Sequence, residues 1–212
     1  MSTNTPATKR HILVLFAHPS LDRSEVNRPL AEATQHVDGV TFVDLYGEYP
    51  DFDIDIEKEQ KRLLEHDAVV FMHPLYWYST PSILKEWQDL VLEHGFAYGS
   101  EGTALQGKIL FNALTAGGAE AAYRAEGYNH FTIRQLLYPI EQTANMCGMT
   151  FLPPYALFGA RTAIEEERID THVSDWIKVL KALRDDRLDL TAARSLPKLN
   201  TDLDKLISEV SQ

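Results

Sequence analysis

Residues 68–98, AVVFMHPLYWYSTPSILKEWQDLVLEHGFAY, hold in one pass the unit from which the rest of the chain is built. Residues 68–72 are a short uninterrupted apolar run, the mark of a strand buried on both faces. The run breaks at His73-Pro74 into an aromatic loop, Leu75-Tyr76-Trp77-Tyr78. In Ser79-Thr80-Pro81, Thr80 is suited to cap a helix and Pro81 to be its first residue. Ile83, Leu84, Trp87, Leu90 and Val91 recur at helical spacing, and Gly95 stands where such a helix ends. A strand, a loop at its carboxyl end and a helix form the unit in which open α/β sheets bind ligands. The aromatic loop suits a flat ligand, or else it packs the strand end.

The same pattern recurs on either side. Residues 12–17 form an apolar strand, and His18-Pro19-Ser20 opens a loop at its carboxyl end. A helix starts between Ser24 and Arg28 and runs to about His36. With Ser24 as cap, Pro29 falls at the fifth helical position and costs a backbone bond, so the first turn is irregular or the helix begins near Arg28. Residues 40–45 read as the second strand, followed by a loop over 46–55. A charged helix over 56–66 has little to bury beyond Ile56, Leu63 and Leu64, which places it on an exposed flank. A glycine-rich linker, 99–107, leads to the fourth strand, 108–114, and the turn Thr115-Ala116-Gly117-Gly118. The loop 119–131 carries Tyr123, Tyr128 and His130.

Ile133, Leu136, Leu137, Ile140, Ala144 and Cys147 mark a further helix, kinked or restarted at Pro139 and closed by Gly148. Residues 150–152 are a short fifth strand ended by Pro153-Pro154. Thr162 with Glu165 reads as a capping box, and Ile169, Val173, Trp176, Ile177, Leu180 and Leu183 stripe the last helix. Five strands alternating with five helices predict an α/β fold: a three-layer sandwich with a five-stranded parallel sheet and helices on both faces. One domain over 11–183 is expected between a polar tail, 1–10, and a charged extension, 184–212. In that extension Leu203, Leu206, Ile207 and Val210 suit a short helix.

A chain of 212 residues with net charge −11 does not suit a nucleic-acid partner, which needs a basic surface. The single cysteine, Cys147, rules out an internal disulfide and fits a reducing compartment. Lys9-Arg10 followed by apolar residues imitates the start of a signal peptide, but the apolar run 12–17 is short for a signal core and too short to cross a bilayer. A soluble, cytoplasmic protein is expected.

Three loops fall at carboxyl ends of strands: 17–27, 73–79 and 115–123. They gather on one rim of the sheet. The first lacks the glycine fingerprints of dinucleotide and triphosphate sites. It offers helix-start N–H groups, the Ser24 hydroxyl and Asn27 to an anion, or Ser24 simply caps the helix. The glycine pair 117–118 allows close backbone approach, or is only a tight turn. His18 and His73 precede prolines on equivalent loops with no cysteine or clustered carboxylate beside them, so no metal site is expected. There is no G-x-S-x-G elbow, and Cys147 lies on an apolar stripe. Redox chemistry carried by a bound cofactor needs binding and orientation rather than a nucleophile, and that suits what is present.

The motifs AHPSLDRSEVN, HPLYWYSTPSILKEW, HGFAYG with GTALQGK, and TAGGAEAAY resemble the flavodoxin-like NAD(P)H quinone dehydrogenase family over residues 11–183. YPDFDID and GTALQGK are most similar to its branch of cytoplasmic ancillary subunits of glutathione-regulated potassium-efflux systems. The resemblance implies a homodimeric two-electron flavoenzyme with FMN or FAD, NAD(P)H as co-substrate, a quinone or similar electrophile as acceptor, and the active site at the subunit interface. It also implies a possible second role as a regulatory subunit on a membrane potassium-efflux transporter, peripheral at the inner face of the membrane. By motif, His18, Ser24, Glu25, Val26 and Asn27 would hold the flavin phosphate. Leu75, Tyr76, Trp77 and Tyr78 would lie along the isoalloxazine, and Thr115, Ala116, Gly117 and Gly118 would take its opposite edge. Tyr123, near the ring where the acceptor stacks, and Tyr76 are the catalytic candidates. Tyr76 stands where the family commonly has glutamine, Ala116 where it has threonine, and Asn129, with His130 next to it, where it has a histidine. A one-electron flavodoxin-type carrier fits the acidity, but the Ser/Thr/Gly-rich phosphate loop of such carriers is absent.

Overall fold

The computed structural model describes residues 9–208. Residues 1–8 of the expected tail, and Val210, lie outside the described residues. β1 (Ile12–Phe16), β2 (Val40–Asp44), β3 (Ala68–Pro74) and β4 (Ile109–Thr115) run parallel in the order β2-β1-β3-β4. Every residue of β1, β3 and β4 is buried, as expected of strands covered on both faces, while β2 at the edge is largely half-buried. The fifth position differs from expectation. It is shared by β5 (Thr150–Phe151) and β6 (Tyr155–Leu157), both parallel to β4, which makes six strands. Pro153 and Pro154 supply no N–H, so pairing lapses there and resumes at Tyr155.

Alternation along the strands sends Leu13, Leu15, Phe71 and Leu110 to one face of the sheet and Val14, Phe16, Val70 and Phe111 to the other. The first face is covered by α3 (Ile56–Glu65), α4 (Ser82–Val91) and α6 (Tyr138–Met146), with Trp87 buried edge-on against Phe71. The second is covered by α1 (Asn27–Gln35) and α7 (Ile169–Arg184). There the buried Trp176 donates its Nε1–H to Thr34 at 2.8 Å.

The first helix starts beside Arg28, one of the two expected places: α1 begins at Asn27, so Pro29 is its third residue and its missing N–H has no helical partner to lose. Several other local expectations are corrected. β2 stops at Asp44, whose carboxylate accepts the Tyr46 N–H and caps the short α2 (Leu45–Glu48). In α3, Leu64 faces solvent while Glu59 is fully buried, accepting from Tyr49 Oη at 2.7 Å and Trp87 Nε1 at 2.9 Å, with Arg62 beside it. That network packs α3 more closely than its few apolar residues suggest. Pro81, not Thr80, is the N-cap of α4, which ends at Val91; Gly95 lies beyond, in a separate turn.

The Thr162–Glu165 capping box does not open a helix. Residues 162–166 make a single turn closed by Glu167 at φ +51°, and α7 begins at Ile169. A capping box does form at Thr132–Gln135, at the start of α5 (Ile133–Leu136). The helix restarts at Tyr138 with Pro139 second, and Gly148, at φ +68°, closes it as expected. The extension is integral to the domain. α8 (Leu190–Arg194), Leu199 and α9 (Leu203–Leu206) bury Leu188, Ala193, Leu199, Leu203 and Leu206 in the second core. Asn200 closes the open edge of β6, accepting the Ala156 N–H and donating to its carbonyl.

Candidate functional site

Strand order 2-1-3 reverses between β1 and β3, so a crevice opens where their carboxyl ends diverge, with the end of β4 alongside. On the first loop His18 is buried. Its Nδ1 accepts the Ser20 N–H at 3.1 Å, and its ring lies 6.3 Å from that of Tyr76. Burial lowers its pKa below the ordinary value, against the opposing pull of Asp44 and Asp22. The Ser24 hydroxyl accepts both the Asn27 backbone N–H and the Asn27 side-chain amide at 3.0 Å, so Ser24 does brace the helix start. The same Asn27 amide reaches the Thr115 hydroxyl at 3.1 Å, which ties the first loop to the third. Glu25 is exposed, whereas the Val26 side chain is buried with Leu157 and Ala163.

On the second loop Leu75 donates its N–H to the Thr115 carbonyl at 2.7 Å, joining it to the third as well. Tyr76 and Ser79 exchange both backbone bonds, and the two residues between them, Trp77 at φ +47° and Tyr78 at φ +64°, are left-handed. This is the geometry of a two-residue hairpin turn, normally built from Asn and Gly. Trp77 is 93% exposed, so packing of the strand end does not account for it. Tyr78 donates its hydroxyl to Asn129 at 3.2 Å, which ties the aromatic loop to the loop 119–131.

On the third loop the Ala116 N–H bonds the Leu157 carbonyl at 2.8 Å and its own carbonyl accepts from Ala160, so Ala116 is a buried part of the frame. Gly118 accepts from Gly159, and a Cβ there would meet the Tyr123 ring at 3.4 Å. The Tyr123 ring rests 5.1 Å from Phe158. Its pKa is raised, chiefly by burial, then by Tyr78, with the Gly118 amide opposing, so it is a neutral phenol at ordinary pH. Gly127, on the same loop, admits no side chain, because a Cβ would lie 2.5 Å from the Ala121 carbonyl oxygen.

His73 belongs to the scaffold. Fully buried, with its pKa lowered to about 4 by burial, it donates from Nδ1 to the Pro74 carbonyl and accepts the Asn112 amide at Nε2. Cys147 is likewise buried, with its thiol pKa raised by burial.

The rim fits a flavin on its own terms. Among the described residues, the backbone N–H groups of Glu25, Val26, Trp77, Tyr78 and Gly117 make no hydrogen bond within the chain. They lie on the three loops that the cross-links bring together, where a phosphate and the polar edge of a flat ring find donors. Sequence reasoning missed the wall behind them: Leu157, Phe158, Gly159 and Arg161, whose Nε would stand 3.7 Å from a Cβ on Gly117. The apolar run 155–158 after the prolines was the available signal.

A parallel sheet of this order, with an amide-lined and aromatic-faced rim at its switch point, defines a flavodoxin-like α/β protein. The chain belongs to the family described as flavodoxin-like fold, whose model matches residues 10–180. It is 46% identical over 170 residues to the glutathione-regulated potassium-efflux system ancillary protein KefG of Serratia proteamaculans, covering 79% of this chain and 92% of that one. Among solved structures it resembles general stress protein 14 of Treponema denticola in complex with FMN, at 36% identity and TM-score 0.76, covering 81% of this chain and 98% of that one. It also resembles an NADPH-quinone reductase of P. pentosaceus, at 30% identity and TM-score 0.71, covering 80% and 97% of the two chains. Among the described residues, no helix is long and apolar enough to cross a membrane.

Proposed function

We propose that the chain is a flavin-dependent NAD(P)H oxidoreductase that passes two electrons to quinones or similar electrophiles, with FMN in preference to FAD as its flavin. The observation that carries this reading is the cross-linked rim. Asn27 and Leu75 both bond Thr115, so an anion-binding loop, an aromatic loop and a glycine turn are held as one surface. The flavin supplies the two-electron chemistry when bound. The chain's part is binding and orientation. The Glu25 and Val26 amides, with Ser24 and Asn27, suit the phosphate; the Trp77, Tyr78 and Gly117 amides suit the ring's polar edges. Tyr123, a neutral phenol, can donate a hydrogen bond to an oxygen of the acceptor, and Tyr76 flanks the same crevice next to His18. One open crevice serves NAD(P)H and acceptor in turn, which gives ping-pong kinetics, with rate supplied by holding the two rings in reacting geometry. The reductase relative and the FMN complex support this reading. A homodimer with the exposed Tyr128 at its interface fits the same reading.

The test is the visible spectrum of the pure protein, mass identification of the released flavin, and NAD(P)H oxidation with a soluble quinone. A yellow protein releasing FMN and showing parallel-line kinetics is expected. A colourless protein that binds no added flavin and leaves NAD(P)H untouched overturns the reading.

A second role rests on the KefG relative: docking on the cytoplasmic part of a potassium-efflux transporter, at the inner face of the membrane. Pull-down with that domain and efflux assays after gene deletion test it; no binding with unchanged efflux rejects it.

A further inference from the structure

The segment after α7 lies outside the 10–180 family match, yet it reaches the Tyr123 side of the rim. Lys198 Nζ donates to both carboxylate oxygens of Glu120 at 2.7 Å and stands 5.5 Å from the centre of the Phe158 ring. Glu120 opens the one-turn helix Glu120–Ala122 that delivers Tyr123, and Phe158 is the ring on which Tyr123 rests. Both contacts of Lys198 therefore converge on Tyr123. The Lys198 side chain is 18% exposed and its backbone is fixed, since the neighbouring Leu199 is fully buried and donates its N–H to Pro154. The extension grips the rim at two further points. Asn200 holds Ala156, the residue before the Leu157 carbonyl that bonds Ala116. Arg134, just past the Tyr123 loop, donates to the carbonyls of Arg194 and Leu196.

We propose that Lys198 is a positioning residue: through Glu120 and Phe158 it fixes Tyr123, and so sets the affinity of the site for its electron acceptor. This rests on the oxidoreductase reading above. Removing the ammonium lets the Tyr123 loop sample conformers that do not bind the acceptor, and a fractionally populated competent state weakens apparent affinity without altering the reacting geometry once formed. The effect therefore falls on the acceptor's KM and spares kcat and flavin binding.

The experiment uses the full chain with its flavin and compares wild type with Lys198→Met, which keeps the apolar stem over Phe158, with Lys198→Arg, and with the charge swap Lys198→Glu/Glu120→Lys. In Lys198→Met, amide exchange over residues 119–131 speeds up and the quinone KM rises, each by about fivefold, the size expected of a half-screened ion pair. Its kcat and flavin Kd stay within about twofold of wild type. Lys198→Arg and the swap return both readouts towards wild type. Unchanged exchange in Lys198→Met overturns the clamp. Faster exchange with an unchanged KM overturns its role in acceptor binding, as does a swap that fails to restore KM. A wild-type protein with no NAD(P)H–quinone activity overturns the oxidoreductase reading instead, and the exchange arm, which needs no turnover, still decides the clamp.

Discussion

Arg161 stands beside Gly117, with its Nε 3.7 Å from where a Cβ on that glycine would lie. The Gly117 amide makes no bond within the described chain, so a cation stands beside an unused backbone donor. A positive charge beside one edge of a bound flavin stabilises the more electron-rich form of the ring, which raises its reduction potential. Arg161→Gln keeps the length of the side chain and removes the charge. Because the arginine is exposed, solvent screens the effect. The expected shift is on the order of 20 mV towards more negative potential, read by equilibration with reference dyes. An unchanged potential would mean that the guanidinium does not face the ring.

At the scale of elements, the turn from Tyr76 to Ser79 holds two consecutive bulky aromatics in left-handed backbone, a conformation that costs non-glycine residues on the order of 1–2 kcal/mol each. Since Trp77 is 93% exposed, its removal forfeits little packing. Trp77→Asn, a residue that this turn type favours, should gain about 1 kcal/mol and raise Tm of the flavin-free protein by about 2–4 °C. The same variant should bind flavin more weakly, because a strained exposed aromatic is retained for what it touches rather than for the fold. A lower Tm would show that Trp77 is not strained.

The backbone of this site was legible in the sequence. Short uninterrupted apolar runs ended by turn residues read as buried strands, and the loops after them fall on one rim by topology. What escaped was decided by tertiary contact. β6 follows two prolines that end a strand on any local reading, and the edge of β4 nevertheless recovers it at Tyr155. Glu59 looks like one more solvated charge on a polar helix, and only the arrival of Tyr49 and Trp87 makes it a core residue. The extension reads as charged because its leucines are widely spaced, so their common burial appears only once α1 and α7 are in place.

At the scale of the whole molecule, burial lowers the pKa of three imidazoles among the described residues, His18, His73 and His172, and the last two, taken furthest, shape how stability answers to pH. His73, on β3, is fully buried against Asn112 of β4, and burial takes its pKa to about 4. His172, packed on Tyr155 at 4.5 Å, is likewise held at about 4, mainly by burial, with Asp175 opposing and Arg168 assisting. In the unfolded chain both return to about 6.5. Above that value both are neutral in both states and contribute no slope. Between about 6.5 and 4 the unfolded chain binds the protons that the folded chain refuses, so stability falls as pH falls, by up to about 1.4 kcal/mol per pH unit for each histidine. Below 4 both states are protonated and their contribution levels off. Urea unfolding at pH 7 and pH 5 should therefore show a steep loss although the acidic surface is still ionised. His73→Gln, which can keep a donor and an acceptor, should reduce that loss by close to one proton's worth. An equal loss in wild type and variant would show that His73 is protonated in the folded protein.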